Sequence, residues 1–291
     1  MKIIITFFML FMSLTVNALT IKNNIVKDEK GNTITLKEYN KIIILDPAIT
    51  ETLYMIGAEK KIIAIGKTLK SKIYPYEETE KLPTVGTLSA PNLEKILSYS
   101  PDLVILGGMA SKIAPNLKDL GIPCVVIPSN TLNKVLENIK ILGTLTGKEN
   151  EATTLYNKSV LTMENLKKEI KKNPLNLKGT VLYSISPIMA LGKGTLANEI
   201  LNFLEVKNIA DNLVGNRPII SQEFLLKEDP DFLIGVMRIK KIDDILNTNS
   251  IIKETKAGKN NNIFIIDSNK LLRGSPRIFI SIEEIYSLLN K

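Results

Sequence analysis

Short, continuous apolar runs alternate with helical patterns along most of the chain. The runs at 41–45, 102–106 and 124–128 are each followed by a segment that carries apolar residues at helical spacing. Continuous apolar runs, rather than alternating ones, are typical of parallel strands that are covered on both faces. The order strand, helix, strand therefore predicts a doubly wound α/β sheet.

One long helical segment divides this pattern into two parts. Residues 148–173 contain no turn signal before Pro174, and their apolar residues recur on one face. The pattern resumes beyond them in three apolar runs, at 180–185, 232–237 and 262–267. We therefore predict two doubly wound α/β lobes, residues 19–147 and 174–291, which are joined by one long helix, residues 148–173.

The first residues have the pattern of a secretory signal peptide. Lys2 precedes an apolar stretch at 3–16, and a small-x-small cleavage site ends at Ala18. We expect cleavage of residues 1–18 after Ala18 and export of the mature protein to the periplasm. The polar segment at 25–37 then predicts a hairpin that turns at a Gly-Asn pair.

Composition narrows the classes of function. Apolar residues make up 44% of the chain and charged residues 23%, as in globular proteins. The chain has no His, the commonest metal ligand and a frequent general base, and its single cysteine, Cys124, lies in an apolar run where burial is expected. No cysteine lies near the cleavage site, so we do not expect a lipid anchor. No basic stretch is interleaved with aromatic residues, so we expect no nucleic-acid partner.

A small motif occurs twice, 129 residues apart. LEKILSYSPDLVI (93–105) and QEFLLKEDPDFLI (222–234) both contain a Glu, six residues, Pro-Asp, an apolar pair and Ile. Either copy alone is explained by a Glu that favours a helix start and a proline that ends the helix. Two copies at one spacing indicate related lobes, each with an exposed carboxylate, Glu94 and Glu223. Such a pair could bind basic residues on a symmetric partner.

The motifs together resemble the solute-binding proteins of ABC importers for iron complexes, heme and vitamin B12. NLEKILSYSPDLVI and ISQEFLLKEDPDFLI resemble the family's two docking motifs, ILDPAITETLYMIGA its opening strand and helix, and LLRGSPRIFISIEEIYSLL its C-terminal signature. The resemblance covers about residues 38–291. It implies a binding protein with its ligand cleft between the two lobes and without catalytic residues or a cofactor, which we expect to be a monomer. It also implies that Glu94 and Glu223 meet arginines on the two halves of a membrane permease.

Ligands of open α/β sheets bind beyond the carboxyl ends of the strands. These ends, with the pocket loops that the resemblance matches, give the candidate ligand-binding residues Ile49, Thr50, Tyr74, Thr87, Leu88, Met109, Ser186, Met189, Arg217, Arg238 and Arg273. All four arginines of the chain lie in the second lobe. Guanidinium groups pair with carboxylates and oxygen-rich anions, so Arg217, Arg238 and Arg273 form an anion clamp or are surface cations. We expect Arg277 to support the fold.

The resemblance leaves the ligand open. LPTVG and ALGKGTLANEILNFL are similar to heme binders, but those proteins commonly place a heme-ligating tyrosine where Thr87 stands. Iron ligation by the protein would need Tyr74, Tyr76, Met109 or Met189. We therefore predict capture of a ferric siderophore or heme, and whether a side chain coordinates the metal stays open. Vitamin B12, whose aromatic pocket residues are missing, and an exported enzyme that uses carboxylates are the alternatives.

Overall fold

Three short antiparallel strands precede the first lobe in the computed structural model, which describes residues 19–69, 71–248 and 250–291. They are β1 (Leu19–Lys22), β2 (Ile25–Asp28) and β3 (Thr33–Thr35). β2 and β3 form a hairpin within 25–37, and β1 adds a strand that the sequence did not predict. The carboxylate of buried Asp28 ties the hairpin to the lobe, because it accepts hydrogen bonds from the N–H groups of Asn32 (2.9 Å) and Val126 (2.7 Å). The predicted signal peptide at 1–18 lies outside the described residues.

The first lobe contains a five-stranded parallel sheet in the order β6-β5-β4-β7-β8. Its strands are β4 (Ile42–Leu45), β5 (Ile62–Lys67), β6 (Thr84–Thr87), β7 (Leu103–Leu106) and β8 (Cys124–Val126). Its helices are α1 (Pro47–Met55), α2 (Tyr76–Thr79), α3 (Leu93–Ser98), α4 (Ala114–Asp119) and α5 (Leu132–Thr146). Every residue of β4, β7 and β8 is buried, so the continuous apolar runs are strands covered on both faces, as predicted.

A single 24-residue helix, α6 (Glu149–Lys172), follows the first lobe. Only Lys148 separates it from Gly147, whose left-handed backbone (φ 63°) ends α5. Glycine adopts this conformation without steric cost, so the chain turns sharply from α5 into α6. The long interlobe helix of the predicted architecture is confirmed.

The second lobe contains a mixed five-stranded sheet. Its strands are β9 (Lys178–Ile185), β10 (Ile188–Ala190), β11 (Lys207–Asn208), β12 (Phe232–Gly235) and β13 (Ile263–Ile265). Its helices are α7 (Leu196–Phe203), α8 (Gln222–Glu228), α9 (Ile242–Thr248), α10 (Lys256–Lys259), α11 (Ser268–Leu271) and α12 (Ile278–Leu289). β9, β12 and β13 are parallel neighbours, whereas β10 folds back antiparallel on β9. The sequence pattern did not predict β10, because a strand of three residues is too short to show a periodic arrangement of apolar positions.

The lobes share more than the connecting helix. Leu132 and Val135 of α5 pack into the same buried cluster as Leu166 and Ile170 of α6 and the helices of the second lobe. The hydroxyl of Tyr286 on α12 donates to the carbonyl of Asn173, 2.8 Å away, at the end of α6. The apolar cluster that the two lobes share restricts movement of one lobe against the other.

Among the described residues, no helix is both long and apolar enough to cross a bilayer.

Candidate ligand cleft and repeated helices

A buried charge cluster connects the two lobes. The carboxylate of Glu51, on α1 of the first lobe, is fully buried. Its Oε1 accepts hydrogen bonds from Arg273 Nη1 (2.6 Å) and from the Tyr74 N–H (3.0 Å), while its Oε2 accepts one from Ser275 Oγ (2.6 Å). Nη1 of Arg277 lies 3.5 Å from Oε1. Two guanidinium groups of the second lobe therefore compensate one carboxylate of the first.

The contacts of Arg273 argue against its predicted part in an anion clamp. Its side chain is only 8% exposed, and beyond the Glu51 pair it donates to the Lys72 carbonyl (2.7 Å) and to Ser71 Oγ (3.0 Å). Its donors are thus used within the protein. The short helix α11 separates Arg273 from the end of β13 and brings it against the first lobe.

The same cluster positions Tyr74. The guanidinium carbon of Arg277 lies 4.4 Å from the centroid of the Tyr74 ring, and the ring of Tyr76 meets that of Tyr74 edge-on at 6.0 Å. Tyr74 is nevertheless 43% exposed, so part of it is available to a ligand. A candidate ligand contact in the first lobe is thereby fixed by residues of the second.

Three other candidates are buried in the first lobe. Ile49 and Thr50 are inaccessible within α1, where the Thr50 hydroxyl donates to the Asp46 carbonyl at 3.0 Å. Leu88 packs into the apolar cluster beneath the sheet. Burial of these three side chains argues against direct ligand contact, and their role as ligand contacts stays a prediction.

The remaining candidates are accessible. Met109, after β7, is 66% exposed, and Ser186, Arg217 and Arg238 are also exposed. The guanidinium carbon of Arg217 lies 4.4 Å from the Tyr183 ring centroid. Two candidates are half-buried: Met189 lies in β10, and Thr87 Oγ1 accepts a hydrogen bond from the Ala90 N–H at 3.1 Å. These positions, with Tyr74, are the accessible candidates for ligand contact.

Sequence reasoning missed Asp46, which follows β4. Its Oδ1 caps α1, because it accepts hydrogen bonds from the N–H groups of Ala48 (2.8 Å) and Ile49 (3.1 Å). Burial raises the pKa of Asp46 to about 6, although the two N–H groups and Arg273 act in the opposite direction. A Cβ atom at Gly107, after β7, would lie 2.0 Å from Asp46 Oδ2, so only glycine allows this approach. The sequence feature that could have revealed Asp46 is its position between the end of β4 and Pro47, where a helix N-cap is expected.

Sequence reasoning also missed Glu51. It stands in the motif that opens the resembling region, ILDPAITETLYMIGA, but an isolated glutamate on a helix does not reveal a partner 222 residues away.

Within the described ranges, no group of three or more His, Cys, Asp or Glu residues could hold a metal ion.

The two copies of the repeated motif form the helices α3 and α8, which begin in the same way. Asn92 Oδ1 accepts the N–H of Lys95 (2.8 Å), and Ser221 Oγ accepts the N–H of Phe224 (3.1 Å). The N-cap residues Asn92 and Ser221 each stand two positions before the glutamate of their motif, and both glutamates are exposed. Within the described part of the chain, neither Glu94 nor Glu223 forms an ion pair. A hydrogen bond with Ser221 lowers the pKa of Glu223, so this carboxylate is ionised at neutral pH.

The two helices also end in the same way. Ser100 and Asp229 both have left-handed backbones (φ 46° and 42°), and a proline follows each. The next residue, Asp102 or Asp231, then accepts a hydrogen bond at 2.9 Å from the backbone N–H of a lysine at the start of the central strand. Those lysines are Lys41, before β4, and Lys178, in β9. The fixed spacing of six residues therefore joins a short helix to equivalent strands of two related lobes.

The family model described as periplasmic binding protein matches residues 42–270, and the chain therefore belongs to that family. More narrowly, it is a substrate-binding protein of an ABC importer, a class that binds small ligands and works with a membrane permease. The uncharacterized ABC transporter substrate-binding lipoprotein YvrC of Bacillus subtilis is 26% identical over 269 residues, 89% of this chain and 83% of that protein. The vitamin B12-binding protein of Vibrio parahaemolyticus is 25% identical over 260 residues, 87% of this chain and 90% of that protein.

Solved structures share the architecture. The periplasmic heme-binding protein RhuT from Roseiflexus sp. RS-1 has a TM-score of 0.76 at 19% identity and covers 87% of this chain and 98% of its own. A protein of the ABC-type Fe3+-hydroxamate transport system from Saccharomonospora viridis has a TM-score of 0.70 at 20% identity. The match covers 89% of this chain and 95% of that protein. These likenesses show the fold alone, and they confirm the predicted two-lobed α/β class.

Proposed function

We propose that this protein captures an oxygen-rich ferric complex, a siderophore or heme, in the periplasm and delivers it to the permease of an ABC importer. The observation that carries the choice of ligand is the pair of exposed arginines, Arg217 and Arg238, in a chain with only four arginines. Both lie in the second lobe, and Arg238 is three residues beyond the end of β12. A planar guanidinium binds carboxylate, catecholate and hydroxamate oxygens through two parallel hydrogen bonds.

Apolar side chains complete the proposed surface. Tyr74 and Met109 in the first lobe, with Met189 in the second, offer contacts to the organic part of the complex. A siderophore already coordinates its iron, so the protein need not supply a ligand. Because Thr87 stands where a heme-ligating tyrosine would be expected, we favour a siderophore over heme.

Titration of the purified mature protein tests the ligand. We would use hemin, ferric catecholate, ferric hydroxamate and cyanocobalamin as probes and follow absorbance and affinity. Replacing Arg217 or Arg238 with Ala should weaken binding of the ferric complex about ten- to a hundredfold, because a charge-assisted hydrogen bond is lost. Lys259→Ala, which removes an exposed cation on α10, is the matched control. Unchanged affinity in both arginine variants would overturn the anionic ligand.

Vitamin B12 is the second candidate. It is favoured by the relative of that name and by the exposed apolar residues Tyr74 and Met109. The chain has no Trp, and Leu88, at one expected aromatic position, is buried. If the protein binds cyanocobalamin and none of the ferric probes in the same titrations, vitamin B12 is the ligand.

Delivery is assigned to Glu94 and Glu223. Their support is the structural equivalence of α3 and α8, which gives each lobe one exposed carboxylate in the same local setting. A permease dimer has two equivalent halves, so two equivalent carboxylates on a monomeric binding protein match its symmetry. Glu94→Lys and Glu223→Lys should retain ligand affinity and lose uptake, because like charges then meet at the interface. Normal uptake by both variants would exclude this role.

A further inference from the structure

Each of the repeated helices exposes a leucine three residues after its glutamate. Leu97 on α3 is 41% exposed, and Leu226 on α8 is 43% exposed. Residues three apart on a helix lie on the same face, so each leucine is a neighbour of its glutamate. The intervening residues Ile96 and Leu225 are both fully buried, which shows that the two helices have the same rotation about their axes.

The shared leucine lies at the surface of each lobe. Neither Leu97 nor Leu226 packs into a buried cluster of the described residues. The other positions differ between the helices: exposed Lys95 corresponds to Phe224, which is half-buried against the core, and exposed Ser98 corresponds to exposed Lys227. Only the glutamate and the leucine are identical in α3 and α8. The two lobes have thus kept one acidic and one apolar group at the same places while the rest of the helix surface diverged.

We propose that Glu94 with Leu97, and Glu223 with Leu226, are two equivalent two-part contacts for the permease dimer. We call each a Glu–Leu pair. Each half of the partner would offer a basic group next to an apolar socket. This inference rests on the proposed delivery role and extends it. An exposed ion pair alone contributes little to binding in water, but an apolar contact beside it excludes water and strengthens the charge interaction.

Photo-crosslinking in the source bacterium identifies the partner. The photoreactive residue p-benzoylphenylalanine would replace Leu97, Leu226 or, as the control, Leu161, which is 56% exposed on α6. We expect crosslinks from positions 97 and 226, but not from 161, to a polytopic ABC permease identified by mass spectrometry. Crosslinks only between two copies of this chain, or no permease crosslink from either position, would overturn the inference.

Binding to that permease in lipid nanodiscs measures the contribution of each leucine. Leu97→Ser and Leu226→Ser should each weaken binding about tenfold, because apolar surface no longer becomes buried. Leu161→Ser should bind like the unchanged protein, and all three variants should retain ligand affinity. Serine variants that bind normally refute the Glu–Leu pair.

The glutamate variants separate the two proposals. If Glu94→Lys and Glu223→Lys lose permease binding while both serine variants keep it, the delivery role stands and the leucine contact fails. If the serine variants lose binding and the lysine variants keep it, the charged contact fails and the apolar contact stands.

Discussion

The buried carboxylate of Glu51 gives the sharpest test of how the lobes are held together. Glu51→Gln preserves the size of the side chain but removes the negative charge between Arg273 and Arg277. Arg273 is 8% exposed and lies 2.6 Å from the carboxylate, so its charge would remain buried without its main partner. Removing one member of a buried ion pair costs about 3–5 kcal/mol.

Denaturant unfolding followed by circular dichroism measures this loss. For a chain of this size, the expected decrease corresponds to a fall in melting temperature of roughly 6–20 °C. Glu284→Gln is the matched control, because Glu284 forms an equally short ion pair with Lys270, at 2.6 Å, but both side chains are exposed. That variant should lose less than about 1 kcal/mol.

A double variant separates charge from packing. Glu51→Gln combined with Arg273→Met removes the closest charge pair and leaves only Arg277, which is 26% exposed. The double variant should therefore recover part of the stability that Glu51→Gln loses. If Glu51→Gln costs no more than Glu284→Gln, the charges of the cluster are solvated and the reasoning is refuted.

Two further predictions follow from burial. Asp46 has a pKa raised to about 6 from 3.8, so its contribution to stability is present at low pH and is lost as the pH rises through 6. Asp46→Asn, which retains an oxygen to cap α1, should therefore raise the melting temperature at pH 8 by more than at pH 4, and a difference independent of pH would contradict the shift. The shared core of α5 and α6, including Leu132 and Leu166, should limit closure on ligand binding to a few degrees, so X-ray scattering should show nearly equal radii of gyration with and without ligand. A large decrease on binding would show that the lobes move freely.

The sequence by itself determined the elements that depend on local pattern. Continuous apolar runs gave the buried strands β4, β7 and β12, because a strand covered on both faces needs no polar positions. The absence of turn signals gave the long helix α6. The repeated motif gave two equivalent helices, because its spacing matches a cap, a short helix and a left-handed residue before proline.

Only the tertiary structure decided which candidate residues are accessible. Ile49, Thr50 and Leu88 lie at strand ends in the sequence, but burial depends on what packs over those ends. Arg273 has the chemistry of an anion ligand, yet Glu51, 222 residues away, neutralises it. A local pattern reports which face of an element is apolar, whereas pairing between distant charges is fixed only when the two lobes pack together. The sequence therefore defined the lobes and the repeated helices, and the packing of the lobes defined the surface that remains for a ligand.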